Sequence, residues 1–228
     1  MSPRAAEIVI LTKDPRPGRV KTRLAAAVGA EAAAGLHRAL AAHTVRWALG
    51  AGAPVRVALD GDLDGIFALS LRALGARVTP QRGEALGDRL RLAWGGARRT
   101  LFLGTDCPTA AADWLREGLG APDPVALGPS EDGGYWTISI EADDPMAWAA
   151  RAAALFDGVP WSTPAVYAET SARCAAAGLP VHTLPLCYDI DELQDLQRLA
   201  VDPRCPPELR GPVAAALRGG APLDPTEG

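Results

Sequence analysis

A chain of 228 residues, 48% apolar and 22% charged, has the make-up of a globular protein, which excludes the disordered and fibrous classes. Its length suits one sizeable α/β domain and is short for two. A net charge of −4 argues against general binding of nucleic acid or of an anionic membrane surface, so any basic site must be local.

Residues 1–7 hold no signal-like apolar segment, and the run 8–11 is too short for a signal peptide or a membrane span, so a cytoplasmic location is expected. Cys107, Cys174, Cys187 and Cys205 lack C-x-x-C spacing and read as reduced, mostly buried residues, neither a zinc site nor a disulfide framework.

Residues 7–11 (EIVIL) read as the first strand, which runs directly into a loop over 12–24. That loop carries five cations, Lys13, Arg16, Arg19, Lys21 and Arg23, stiffened by Pro15 and Pro17 and turned by Gly18. Fixed cationic donors after a first strand suit a polyphosphate, because charge-assisted bonds form at a low ordering cost. The competing reading is a solvated charged loop. A helix over 30–49 places Leu36, Leu40 and Trp47 at core spacing, and His43 on the same stripe is expected to be a packed, hydrogen-bonded core histidine.

Residues 55–59 read as strand two. The following DGDLDG at 60–65 opens like an EF-hand calcium loop, but the position that needs a bidentate Glu is Leu71, so calcium is rejected. A helix over 66–74 and a short strand over 76–80 follow. Next come a polar loop and a helix running to about 98, in which Gly87 and Arg89 can approach a ligand, Arg89 being as easily read as a solvated residue on the helix flank.

The stretch 101–108 (LFLGTDCP) has the pattern of a buried parallel strand that ends at a ligand crevice: apolar residues, then Gly104, then Asp106, closed by Pro108. A lone carboxylate at that edge can hold a divalent cation against a phosphate, or it can cap the helix expected over 109–119. A fifth strand over 123–128 leads to Pro129-Ser130-Glu131-Asp132-Gly133-Gly134-Tyr135-Trp136 and a sixth strand over 135–140. The glycine pair after two carboxylates is either a plain hairpin or an acceptor-binding loop with Asp132 facing the acceptor. Ser162 and Thr163 read as caps of a helix over 164–177. The last strand, 181–186, ends at Cys187-Tyr188-Asp189-Ile190-Asp191, and a helix over 192–200 follows. Asp191 with Gln194 resembles a capping box, a bland explanation that covers Asp189, also just beyond a strand, less well. Residues 1–200 then form one domain, and the proline-rich 201–228 an extension expected to be partly mobile.

Strands alternate with helices throughout, which implies an α/β fold: a single-domain three-layer αβα sandwich with a mainly parallel sheet and one antiparallel element near 135–140. Every singled-out loop follows a strand, so all can meet on one rim.

In this order the motifs resemble the nucleotide-diphospho-sugar transferase superfamily, the Rossmann-like GT-A fold. The closest resemblance is to the bacterial family named radical-SAM/selenodomain-associated transferase 1, whose members are commonly labelled glycosyltransferases. It rests on Lys13-x-Pro-x-Pro-Gly-x-Val-Lys-Thr-Arg-Leu24, Gly104-Thr-Asp-Cys-Pro108, Gly128-Pro-x-x-Asp-Gly-Gly-Tyr135, Trp161-Ser-Thr163 and Asp189-Ile-Asp191, and spans about 8–199. The first motif is also similar to 2-phospho-L-lactate guanylyltransferases, the last to molybdenum-cofactor nucleotidyltransferases. One departure is that Asp106 stands in Thr-Asp-Cys, without the full Asp-x-Asp of many sugar transferases.

The resemblance implies nucleotide or nucleotide-sugar binding by Lys13, Gly18, Lys21, Thr22, Arg23, Gly87, Gly133, Gly134 and Tyr135. It implies Mg²⁺ or Mn²⁺ on Asp106 with the Asp189/Asp191 pair, and catalytic work by Lys21, Arg23 and Asp132. Two chemistries fit such a pocket. One is glycosyl transfer from a nucleotide-diphospho-sugar to a small acceptor, with Asp132 taking the acceptor's proton. The other is nucleotidylyl transfer from a nucleoside triphosphate to a phosphorylated small molecule, with pyrophosphate leaving. A third reading, from another class, is a nucleotide-binding module without chemistry.

Overall fold

The structure is a computed structural model describing residues 5–219. Within β1 (Ala6–Lys13), Ile8 and Ile10 enter one apolar cluster and Val9 another, so this strand is buried on both faces. The same holds for β2 (Val55–Asp60) and β4 (Arg99–Leu103). With β3 (Arg77–Pro80), β5 (Val125–Pro129), β6 (Tyr135–Glu141) and β7 (Val181–Thr183) they form one sheet of order β3-β2-β1-β4-β6-β5-β7. All pairings are parallel except those of β6, which runs against both β4 and β5, so the antiparallel element lies where the sequence places it. This polarity brings the carboxyl ends of β1, β4, β5 and β7 and the start of β6 to a single edge.

Helices cover both faces. On one side α2 (Ala30–Leu49), α3 (Ile66–Ala73) and α5 (Ala112–Leu119) pack Val45, Leu71 and Leu115 onto the sheet. On the other, α4 (Leu86–Leu92), α6 (Pro145–Phe156) and α7 (Val166–Ala176) contribute Leu90, Trp148, Phe156 and Cys174. A third cluster joins α1 (Thr22–Val28), α8 (Leu193–Val201) and α9 (Pro207–Gly219) to the outer face of α2 through Leu24, Leu36, Leu196, Leu209 and Val213. Among the described residues no helix is long and apolar enough to cross a membrane.

Several local readings change. The loop expected to reach residue 24 stops at Lys21, because Leu24 and Val28 form an apolar i, i+4 pair that buries a short helix. The helix expected to run to 98 ends at Leu92, before Gly95 and Gly96. The capping box of α8 is Glu192 with Asp195, one residue later than the sequence reading, so Asp191 is not its cap. The segment 201–228, expected as a partly mobile extension, contains α9, whose Leu209, Val213 and Ala216 are buried; residues 220–228 lie outside the described residues. His43 is packed as expected, with Nδ1 2.9 Å from Glu208 Oε1, tying α2 to α9. The four cysteines are free.

At the amino-terminal end of the sheet Glu7 and Arg56, 2% and 8% exposed, pair across β1 and β2 at 3.1 and 2.9 Å, and Arg56 also donates to the Ala93 carbonyl. Removing one buried charge strands the other, so Glu7→Ala is expected to lose about 3–5 kcal/mol in denaturant unfolding. The double variant Glu7→Leu/Arg56→Met should recover most of that loss; a double variant as unstable as the single one would show that the pair itself stabilises the fold.

Candidate active site

At the carboxyl edge, the stiff segment after β1 is held from both ends. Asp14 N donates to Asp60 O at 3.0 Å, Arg16 pairs with Asp14 at 2.8 Å, and Gly18 turns the chain at φ 77°. Beneath it, His37 Nε2 lies 3.1 Å from Lys13 O and 3.2 Å from Thr12 Oγ1. Burial lowers the pKa of His37, and the carbonyl requires Nε2 to be the protonated nitrogen. Val20 is buried, and the chain enters α1 through Lys21 at φ 48°, ψ 45°, a left-handed conformation uncommon for a residue with a side chain.

The Lys21 side chain is only 3% exposed. Its Nζ lies 2.5 Å from Asp106 Oδ1, 2.6 Å from the Ile190 carbonyl and 3.1 Å from Asp191 Oδ1. Burial disfavours the lysine's charge, but Asp106 and Asp191 outweigh it and raise its pKa above the ordinary value. Burial likewise works against ionisation of Asp106, and Lys21 more than offsets it, holding this carboxyl below the usual carboxylate range. Main-chain bonds fix the geometry. Ile190 N donates to Asp106 O at 2.9 Å, Cys187 N to Pro129 O at 3.1 Å and Glu131 N to Cys187 O at 3.0 Å, stitching the segment after β7 to those after β4 and β5.

The β5–β6 connection is a tight turn as well as a wall of the site. Asp132 Oδ1 accepts from Gly134 N at 2.8 Å and from the Ser130 hydroxyl, while Gly133 N donates to Ser130 O at 3.1 Å. Asp189 is pushed up to about 6 by burial and by the neighbouring Asp132 and Asp191 carboxylates.

These parts enclose a cavity of about 750 Å³. Of the residues singled out in the sequence, Lys13, Lys21, Thr22, Arg23, Asp106, Asp132, Gly134, Tyr135, Asp189 and Asp191 line it. Gly18, Gly87 and Gly133 are not among its lining residues. A side chain at Gly87 would meet Phe156 O at 2.8 Å, so this glycine lets α4 pack on α6, and Leu86 faces the cavity instead. Arg16 and Arg19 border a cleft of about 70 Å³ with Lys13, Asp14 and Asp60; Arg19 also lines an adjoining cavity of about 290 Å³ with Lys13, Lys21, Asp106 and Asp191; and Arg89 is held by Gln81 at 3.0 Å and Asp60 at 3.4 Å.

Sequence reasoning missed the Ile190 carbonyl, to which no side-chain pattern points. It also took Ser162 and Thr163 as caps. Thr163 does bond locally, to Pro160 O at 2.7 Å and Ala165 N at 3.4 Å, but both residues line the cavity beside Trp161. Trp161 stands edge-on to Tyr135, centroids 6.4 Å apart, giving that end of the cavity aromatic walls.

The donors around Lys21 Nζ allow a direct test of fit for a cation. Two carboxylate oxygens and one carbonyl converge on a single positive charge, an all-oxygen set of the kind that hard divalent cations prefer. Among the described residues no group of three or more His, Cys, Asp or Glu is arranged to hold a metal, and here the lysine itself stands between the two acids.

Gly133 (φ 87°) is pinned under Pro164, whose carbonyl a Cβ would strike, and its own carbonyl accepts from Tyr167 N at 2.9 Å. Gly133→Ala is expected to cost on the order of 1–3 kcal/mol through the strained backbone alone and to splay the two walls. Thermal unfolding checks the first effect; an unchanged melting temperature would mean that the turn relaxes freely.

Known structures share this architecture. A protein from Desulfovibrio desulfuricans G20, described as a candidate nucleotide-diphospho-sugar transferase, superposes with TM-score 0.76 at 26% identity, over 95% of this chain and 98% of that one. The inositol-1-phosphate CTP transferase from T. maritima gives TM-score 0.55 at 13% identity, over 97% and 99%. A CMP:2-keto-3-deoxy-manno-octonic acid synthetase complexed with CTP gives 0.53 at 18%, over 85% and 96%. The fold is that of the nucleotide-diphospho-sugar transferase superfamily. No curated protein matches the chain. A family model matches residues 44–163, more than half of the chain, which therefore belongs to the bacterial family described as "Uncharacterized protein conserved in bacteria (DUF2064)".

Proposed function

We propose that this protein moves a glycosyl group from a nucleotide-diphospho-sugar to a small acceptor, with Mg²⁺ or Mn²⁺ held by Asp106 and Asp191. At the coarser level the chain is a nucleotide-utilising transferase. The observation that carries the reading is the convergence of Lys21, Asp106, Asp191 and Ile190 O on one point of a cavity with cations on one wall and carboxylates with aromatic rings on another.

Lys13, Lys21 and Arg23 line the main cavity, Arg19 lines an adjoining one of about 290 Å³ together with Lys13, Lys21, Asp106 and Asp191, and Arg16 turns to the smaller cleft. These cations serve a diphosphate and a triphosphate alike, and what favours sugar transfer is the likeness to the Desulfovibrio protein described as a candidate nucleotide-diphospho-sugar transferase. A bound divalent cation supplies neutralisation of the charge that builds on the leaving diphosphate. Lys13 and Arg23 orient the phosphates by charge-assisted hydrogen bonds. Asp132, held in its turn by Ser130 and Gly134, takes the proton of the attacking acceptor group. Trp161 and Tyr135 offer flat apolar surface for the acceptor or the transferred sugar.

Incubation with nucleotide sugars, a panel of acceptors and Mn²⁺ should release free nucleoside diphosphate, and Asp106→Asn should lower that release by about a thousandfold while the far-ultraviolet spectrum stays the same. Pyrophosphate released from a nucleoside triphosphate would instead assign nucleotidylyl transfer. Metal-independent nucleotide binding without any product would reduce the protein to a binding module.

A further inference from the structure

Lys21 is placed oddly for a residue that grips phosphate. An ammonium has three protons, and the three oxygens around Nζ account for all of them: Asp106 Oδ1 at 2.5 Å, Ile190 O at 2.6 Å and Asp191 Oδ1 at 3.1 Å. A lysine bonded in this way has no proton left for a phosphate oxygen. Its partners are also the oxygens assigned above to a divalent cation. The two occupants exclude each other, since a cation bound to those oxygens would lie within a few ångströms of the ammonium, at a strongly repulsive distance in a half-buried site.

Charge makes the exchange productive. Two carboxylates against one ammonium leave a single negative charge, whereas a divalent cation balances both acids and frees the lysine's positive charge. The freed side chain lies on the wall shared by Lys13 and Arg23, the residues placed to meet the diphosphate.

We propose that Lys21 is a built-in stand-in for the cation: its ammonium holds the carboxylate pair together until the divalent ion enters, and the ion displaces it onto the substrate's phosphates. The inference rests on the reading of Asp106 and Asp191 as cation ligands given above. It makes the protein bind cation and nucleoside diphosphate cooperatively, because each relieves a cost the other would otherwise meet. Before the exchange the same lysine keeps two acids from facing each other unpaired.

The test is direct Mn²⁺ binding, followed by the electron paramagnetic resonance signal of the free ion, to wild type, Lys21→Met and Lys21→Met/Asp106→Asn without nucleotide. Lys21→Met should bind Mn²⁺ about tenfold more tightly than wild type, and the added Asp106→Asn should abolish the gain. Equal affinity of wild type and Lys21→Met would overturn the stand-in role and leave the proposed function standing. If none of the three binds Mn²⁺, and UDP and GDP with Mn²⁺ shift the melting point of wild type no more than the nucleotides alone, the metal-dependent reading fails with it. A measurement on wild type alone guards against a misfolded variant: saturating Mn²⁺ should speed acylation of the Lys21 amine by acetic anhydride, read by peptide mass spectrometry. Unchanged labelling would contradict displacement.

Discussion

One buried ammonium between two carboxylates sets the rest of the arrangement. A lysine 3% exposed to solvent is tolerable only because acids and a carbonyl surround it, and those acids are tolerable at such close quarters because the lysine separates them. The ammonium comes from the segment before α1 and its partners from the segments after β4 and β7, so this single contact fixes how three strand ends lie relative to one another. The left-handed backbone at Lys21 belongs to the same constraint: the chain must reverse into α1 at the position where the side chain has to turn inward.

Sheet polarity does the remaining work. Because β6 is antiparallel to its neighbours, its first residue, Tyr135, arrives at the same edge as the last residues of β1, β4 and β5. One turn therefore delivers Ser130, Asp132 and Gly134 to the cavity, and the stretch before α7 closes the far side with Trp161 and Ser162. The outcome is a division of surfaces, cationic by the first strand and acidic with aromatic walls by the fifth and sixth. Such a pocket suits a ligand with a charged tail and a polar ring.

Much of this was legible in the amino-acid order, and the exceptions share a cause. Strands buried on both faces announce themselves as apolar runs, so β1, β2, β4 and β5 could be read directly, and the 20 residues of α2 emerged from helical spacing. Asp106 and Asp189-Ile-Asp191 stood out as carboxylates just beyond strands. What escaped depended on tertiary contact. Helix α1 has 7 residues, too few for a periodic signal, and exists because Leu24 and Val28 meet α2, α8 and α9. Asp191 read as a cap because Gln194 lies three residues on, yet the cap is Glu192, whose N donates to Asp195 at 2.7 Å, which leaves Asp191 for Lys21. The Ile190 carbonyl is main chain and carries no residue-type signature. Arg16 looked equal to Lys13 and Arg23 in sequence; its pairing with Asp14 sets it apart.

Lys21 and Asp191 lie 170 positions apart along the chain. Joining them closes a loop of about 170 of the 228 residues, a contact with a substantial cost in chain entropy. Asp106 lies 85 positions beyond Lys21, whereas the second acid and the carbonyl come from residues 190 and 191. The set of oxygens around the ammonium is thus complete only once the two ends of this loop have met.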